Sequence, residues 1–335
     1  MKKFQHGGDV FSFANEIGCR VDEVIDLSSN INFIKPKIDI DFSKLNISSY
    51  PNYSQLYKSI AKLYSVDRNQ IELYNGGSSA IFALFRFFGL KESVIYSPAY
   101  LEYKKASELF GYSTTYINRF QDIEQSIPIG SLVIFVNPST PDGRFYDIDR
   151  LIKEWIERRC TILIDESFLD FTNFNSATKY IESYSRLYIL KSMTKFYSSA
   201  GIRVGTIISN SENINSLKEY EPMWKISQFD SSYLQEVLRD REFPNISREI
   251  NSKNREFLYD ILQNSNYIEE THPSSANYLL IKLKDLTAKE FQELLTPYKI
   301  MIRDCSNFDF LDSSYVRIAI KEQKSLRLLK KALCQ

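Results

Sequence analysis

The apolar positions of this chain come in short runs set between stretches of helical spacing. Residues 53–64 carry an amphipathic helical pattern, 71–74 a strand-like run, 75–79 the sequence Asn-Gly-Gly-Ser-Ser, and 80–88 an apolar helical run. Together they predict a strand, a glycine turn and a helix. β-rich runs recur at 93–96, 132–136, 161–164, 187–190 and 204–209, with helix-patterned segments such as 147–158 between several of them. Apolar strands that alternate with helices predict an α/β fold whose mostly parallel sheet is covered on both faces, because right-handed crossovers place the helices there. Beyond about residue 210 the pattern changes. A helical region to about 263 precedes strand-like runs at 277–283, 300–303 and 315–320 and a helix at 288–295, which predicts a smaller α+β lobe.

Composition narrows the functions. A chain of 335 residues can bury a large core, and its 42 basic residues are offset by 42 acidic ones, so no net field draws it to nucleic acid or to an anionic membrane. A small-molecule partner is the expectation. The first residues hold two lysines but no apolar stretch of signal-peptide length, and the most apolar run, 81–90, is interrupted by Arg86, so a cytoplasmic location is expected. Cys19, Cys160, Cys305 and Cys334 lie far apart and form neither a disulfide framework nor a zinc pattern. With only His6 and His272 available, a histidine metal centre or a Ser-His-Asp triad is disfavoured, and no metal is expected.

Polar residues directly after the apolar strands face the crevice where such folds bind ligands. Gly76-Gly77-Ser78 closes a strand and opens a helix, which aims backbone N–H groups at an anion such as phosphate; a plain tight turn is the alternative. Asp165-Glu166 follows the run 161–164, where a carboxylate does not serve packing, although a helix cap or ion pair would also account for it. The segment 191–203 sets Ser192 three residues before Lys195 and Arg203 eight residues after it. Arg303 and Arg317 lie in the small lobe, and Arg317, inside the strand-like run 315–320, is expected to meet a carboxylate because an unpaired buried guanidinium is costly. One cofactor asks for all of these: pyridoxal 5'-phosphate (PLP), with an aldehyde for a lysine, a phosphate for a glycine turn and an arginine, and a ring nitrogen for a carboxylate. In that reading Lys195 forms the imine and moves the proton at Cα, Asp165 keeps the pyridine nitrogen protonated, Arg203 and Ser192 clamp the phosphate, and an arginine of the other lobe holds a substrate carboxylate.

These residues resemble the class I/II aminotransferase family of fold type I PLP enzymes over nearly the whole chain. The lysine block Ser192, Lys195 and Arg203 is similar to the family's S-x-x-K with an arginine eight residues on, and Asp165-Glu166-Ser167-Phe168 to its D-E-x-[YF] element. His6-Gly7-Gly8, Asn30-Ile31-Asn32, Leu169-Asp170-Phe171 and the segment 302–308 ahead of Arg317 look most like the branch that decarboxylates L-threonine O-3-phosphate, with histidinol-phosphate aminotransferases as neighbours. The resemblance implies that Tyr100 stacks on the cofactor ring and that Tyr50 reaches the cofactor phosphate of a neighbouring subunit, hence a homodimer. It implies that Arg317 binds the α-carboxylate with Arg303 as partner, and that His6, Gly7 and Asn32 contact a distal phosphate. Two positions depart from the pattern: Thr140 stands where an asparagine usually donates to the ring's O3', and Phe168 cannot make the bond a tyrosine makes there. The implied architecture is an N-terminal arm (1–44) joining the small lobe, a large PLP domain (45–220) and a C-terminal small domain (221–335). The implied activity is decarboxylation of a phosphorylated amino acid. Transamination of the histidinol-phosphate type and a non-catalytic, ligand-binding relative are the alternatives.

Overall fold

The computed structural model describes residues 6–334. In chain order the first half forms α1 (Val10–Ile17), β1 (Ile25–Asp26), α2 (Ser54–Tyr64), β2 (Ile71–Tyr74), α3 (Gly76–Phe88), β3 (Glu92–Ser97), α4 (Leu101–Leu109), β4 (Ser113–Asn118), β5 (Leu132–Val136), α5 (Asp149–Glu157), β6 (Thr161–Asp165), β7 (Leu187–Lys191), α6 (Met193–Phe196) and β8 (Gly205–Ile208). Seven of these strands make one sheet in the order β2-β8-β7-β6-β5-β3-β4. The five from β7 to β4 run parallel, and β8 is antiparallel to both its neighbours. Every residue of β5, β6 and β7 is buried, which requires cover on both faces. The pleat divides that cover: Val133 and Phe135 of β5 pack into one apolar cluster with Trp155 of α5, whereas Leu132, Ile134 and Val136 pack into another with Leu84 of α3.

The rest of the chain forms α7 (Ser211–Tyr220), α8 (Gln228–Val237), α9 (Phe243–Gln263), β9 (Ile268–Thr271), β10 (Tyr278–Leu283), α10 (Ala288–Leu295), β11 (Ile300–Met301), β12 (Arg303–Asp304), β13 (Tyr315–Ala319) and α11 (Gln323–Leu333). A four-stranded antiparallel sheet, β12-β13-β10-β9, packs through a separate apolar cluster onto α9, α10 and α11. The segment ahead of α2 is stitched to this part of the molecule. There β1 pairs in parallel with β11, and Ala319 N–H donates to Leu27 C=O at 2.8 Å.

Three elements differ from the sequence expectation. Strand β4 (Ser-Thr-Thr-Tyr-Ile-Asn) buries only Ile117, and β9 (Ile-Glu-Glu-Thr) only Thr271. Both are edge strands, whose polarity hides them from a search for apolar runs. The run 300–303 is two strands in different sheets, because the side chain of Gln292 takes both the Ile302 N–H (2.9 Å) and the Ile300 carbonyl (2.7 Å) and ends the first pairing.

Candidate active site

The C-terminal ends of β6 and β7 carry the central groups. Asp165, the last residue of β6, is buried; its Oδ2 accepts from the Tyr103 hydroxyl (2.9 Å) and its Oδ1 from the Ser167 N–H (2.8 Å). No cation lies within ion-pair distance of it among the described residues. Lys195 follows β7 on the single turn α6, with Nζ 4.4 Å from the Phe168 ring centroid and 5.8 Å from that of Tyr100. Burial pushes its pKa below the ordinary lysine value; Asp165 opposes that shift, and Arg317 and Arg203 add to it. The shift is toward the neutral amine, the form that attacks an aldehyde.

Beside this pair lies a cradle of small residues. Gly76 has φ 82°, and a Cβ there would collide with the Arg203 guanidinium, while a Cβ on Gly77 would touch Ser192 Cβ at 3.7 Å. A Cβ on Gly205 would come within 2.6 Å of the backbone at Gly76 and Gly77. Gly76, Gly77, Ser192 and Arg203 therefore converge where α3 begins, and its first-turn N–H groups point into the space they share. Ser78 Oγ lies 3.2 Å from the Tyr100 hydroxyl, linking the cradle to the ring that caps α4. Arg203 is exposed, and Nη1 bonds the Ala200 carbonyl at 2.9 Å.

Across the crevice, Arg303 of β12 and Arg317 of β13 are directly paired in register, so both side chains leave the same face of the sheet. Each is 6% exposed. Arg317 donates to Thr140 Oγ1 (3.0 Å) and to the Ser28 carbonyl (3.1 Å) and lies over the Tyr278 ring, and its Nε has no partner. The carboxylate expected for Arg317 is missing among the described residues. Both oxygens that meet it are neutral, which leaves its charge available to a ligand. Arg303 donates to the Asp304 carbonyl (2.6 Å) and Asn307 Oδ1 (2.8 Å). Gly7 passes against this pair; a Cβ there would sit 2.6 Å from Ser28 O and 3.2 Å from Arg303 Cδ.

Not every expected residue is brought in. His6 Nε2 meets Glu102 Oε1 at 2.9 Å, with its ring 5.4 Å from that of Tyr100. Asn32 turns its side chain away from the arginines, into α9 and the carbonyl of Phe196. Tyr50 lies apart, 73% exposed and stacked on Trp224 at 4.0 Å. Tyr103 and Tyr278 escaped the sequence reading. The spacing Tyr100-x-x-Tyr103 on a helix start was the available sign of the first, whereas Tyr278, which donates to the Ser139 carbonyl (2.7 Å) under Arg317, has no local sequence cue.

A family model described as aminotransferase class I and II matches residues 23–333. A protein of Caldanaerobacter subterraneus subsp. tengcongensis, provisionally named a threonine-phosphate decarboxylase, is 30% identical over 99% of this chain and 94% of its own. The crystal structure of the histidinol-phosphate aminotransferase from Clostridium acetobutylicum superposes with a TM-score of 0.78 at 29% identity, covering 86% of this chain and 90% of that one. The histidinol-phosphate aminotransferase from Sinorhizobium meliloti, solved in complex with PLP, shares the fold with a TM-score of 0.82 at 15% identity over 98% of this chain and 94% of that one. No described helix is long and apolar enough to cross a membrane.

Proposed function

The chain belongs to the aminotransferase class I and II family, a family of PLP-dependent enzymes, and on that premise we propose that it removes the α-carboxylate of a small O-phospho-amino acid. The enzyme assignment sets aside the non-catalytic reading. One observation carries the substrate class: two buried guanidiniums project from paired strand positions, and no protein carboxylate answers Arg317 among the described residues. A ligand with two anionic groups fits that arrangement.

The residues fit the cofactor as well. The cradle at Gly76, Gly77, Ser78, Ser192 and Arg203 suits its phosphate, since side chains on either glycine would fill the space. Lys195, whose pKa burial lowers, is the amine for its aldehyde; Asp165 accepts the ring-nitrogen proton; Tyr100 and Phe168 are the rings beside Lys195 Nζ. Thr140, which accepts from Arg317, is the hydroxyl we assign to the ring oxygen, a bond Phe168 cannot offer. When bound, PLP supplies an electron sink for the charge left at Cα. With it bound, Arg317 would orient the α-carboxylate, the Cα–carboxylate bond would break with release of CO2, Lys195, carrying a proton taken up from the substrate ammonium group, would deliver it to Cα, and Asp165 would hold the ring proton in place. Arg303, with Gly7 beside it, binds the distal phosphate.

The likeness to the decarboxylase supports this choice. A second reading, transamination, is favoured by the structural match to an aminotransferase at 29% identity. Incubation of PLP-loaded protein with phosphothreonine, phosphoserine and histidinol phosphate, with and without a 2-oxo acid, separates the two: CO2 release without the oxo acid is expected, and amine transfer that requires it would favour the second reading. We further propose a cytoplasmic homodimer in which Tyr50, exposed on one protomer, completes the neighbouring site. Free thiols at all four cysteines accord with a reducing compartment. The division into arm, large domain and small domain stands as part of the same proposal, with the crevice between the two sheets as the site.

A further inference from the structure

Resting on the assignment of Lys195 as the cofactor lysine, we propose that Asn32 is a positioning residue for that lysine and not a contact to substrate phosphate. Lys195 stands on α6, a helix of four residues. A single turn has almost no stability of its own, and its last carbonyls have no partner within the helix. Two are taken by the following loop: Tyr197 N–H donates to Met193 O (3.0 Å) and Ser199 N–H to Thr194 O (2.8 Å). The other two are those of Lys195 and Phe196, and both are capped from 163 residues or more upstream. Asn32 N–H donates to Lys195 O (3.0 Å), and Asn32 Nδ2 to Phe196 O (2.7 Å).

The remaining valences of the Asn32 amide are also used. Its second Nδ2 proton goes to Ser247 Oγ (2.7 Å), and Oδ1 accepts from Asn251 Nδ2 (3.1 Å) and Ile34 N–H (3.2 Å). Asn32, Ser247 and Asn251 are all buried. An amide with both protons and both lone pairs committed inside the protein has nothing left for a phosphate. Its surroundings point the same way. Asn277 Nδ2 holds the Asn30 carbonyl (2.9 Å), Lys321 Nζ the Ile31 carbonyl (3.2 Å), and Asn254 of α9 the Lys321 carbonyl (2.8 Å). Segment 30–32 is thus fastened on one side to α9 and the C-terminal sheet, and on the other to the backbone of the lysine. Displacement of either is transmitted to the lysine's Cα, and a misplacement of about 1 Å at a reacting group can cost about 10²-fold in rate. Asn32 therefore sets where Lys195 stands relative to the arginines of the opposite strand pair.

The test uses variants that cannot reach substrate. Ser247→Ala and Asn251→Ala each remove one bond to Asn32, and Asn32→Ala removes all of its side-chain bonds; should Asn32→Ala fail to fold, the other two carry the experiment. In cofactor-free protein, amide hydrogen exchange at Tyr197 and Ser199 is expected to accelerate about tenfold or more, because the turn loses its caps. With PLP bound, kcat is expected to fall equally for phosphorylated and non-phosphorylated substrates, with their kcat/KM ratio unchanged and the pH titration of the visible band shifted. Unchanged exchange together with a KM increase confined to phosphorylated substrates in Asn32→Ala would overturn the proposal. Absence of any lysine-bound cofactor in the unmodified protein would instead sink the functional assignment, and the exchange result would still decide whether Asn32 holds the turn.

Discussion

Lys195 and Arg317 are each legible in the sequence as a residue type at a spacing, but their chemical states are set by what surrounds them. Burial lowers the pKa of Lys195 from 10.5, so between the lowered folded value and the unfolded value the unfolded chain binds more protons than the folded one. Stability of the cofactor-free protein should therefore rise with pH across that interval, with no slope from this group below it, where the cost of the buried charge is constant, or above about pH 10.5, where that cost is gone. Urea midpoints measured from neutral pH upward should climb more steeply in the unmodified protein than in Lys195→Met, and equal slopes would mean that folding does not lower the pKa of Lys195. The same substitution should abolish the visible band and the borohydride-reducible attachment of PLP, read by absorbance and mass. Arg317 makes a different case. Its two neutral partners and free Nε leave a planar fork for a carboxylate, which a lysine cannot reproduce. Arg317→Lys is expected to lower kcat/KM by roughly 10²-fold for every α-amino acid alike. A loss restricted to phosphorylated substrates would move the phosphate onto Arg317.

At the level of elements, the strands β5, β6 and β7 coincide with the runs that periodicity picks out, because central strands buried on both faces are apolar up to the polar residues, Asp165 and Lys191, that end β6 and β7. The polar edge strands and the split of 300–303 were not legible, since pairing partners and a side chain from α10 decide them. The junction of α3 with β8 shows how one contact between elements builds the cradle. A methyl group on Gly205 would lie 2.6 Å from the backbone at Gly76 and Gly77, and backbone cannot yield as a side chain can. Gly205→Ala is expected to destabilise by about 1–3 kcal/mol and to weaken PLP binding, because α3 must move off the strand. Gly201, with nothing within 4 Å of its would-be Cβ, is the control: its alanine variant should stay within about 0.5 kcal/mol. Chemical denaturation and PLP titration on the two variants decide it, and equal behaviour would remove the contact from the cradle's design.

The whole molecule brings together groups that the chain keeps far apart: residues near 7 and 28, the cradle at 76, the strand ends at 165 and 191–195, and the arginines at 303 and 317. If Tyr50 serves the neighbouring site of a homodimer, then Tyr50→Ala and Lys195→Ala chains, each inactive or nearly so, should complement when mixed under exchange. Each mixed dimer regains one intact site, so activity should return to roughly a quarter of the unmodified level for random pairing. No recovery in a mixture shown to contain mixed dimers would confine Tyr50 to its own protomer. The sequence by itself determined the α/β class and the family resemblance and put Lys195, Asp165 and Arg203 forward as candidates, because strand periodicity and short spacings are local properties written along the chain. Only the tertiary structure decided that, among the described residues, Arg317 meets no carboxylate and Tyr103 rather than a cation answers Asp165, and that Asn32 is spent on the turn that carries Lys195. Those outcomes depend on which donors and acceptors, hundreds of residues apart, are left over once the sheets have packed, and no local pattern encodes that remainder.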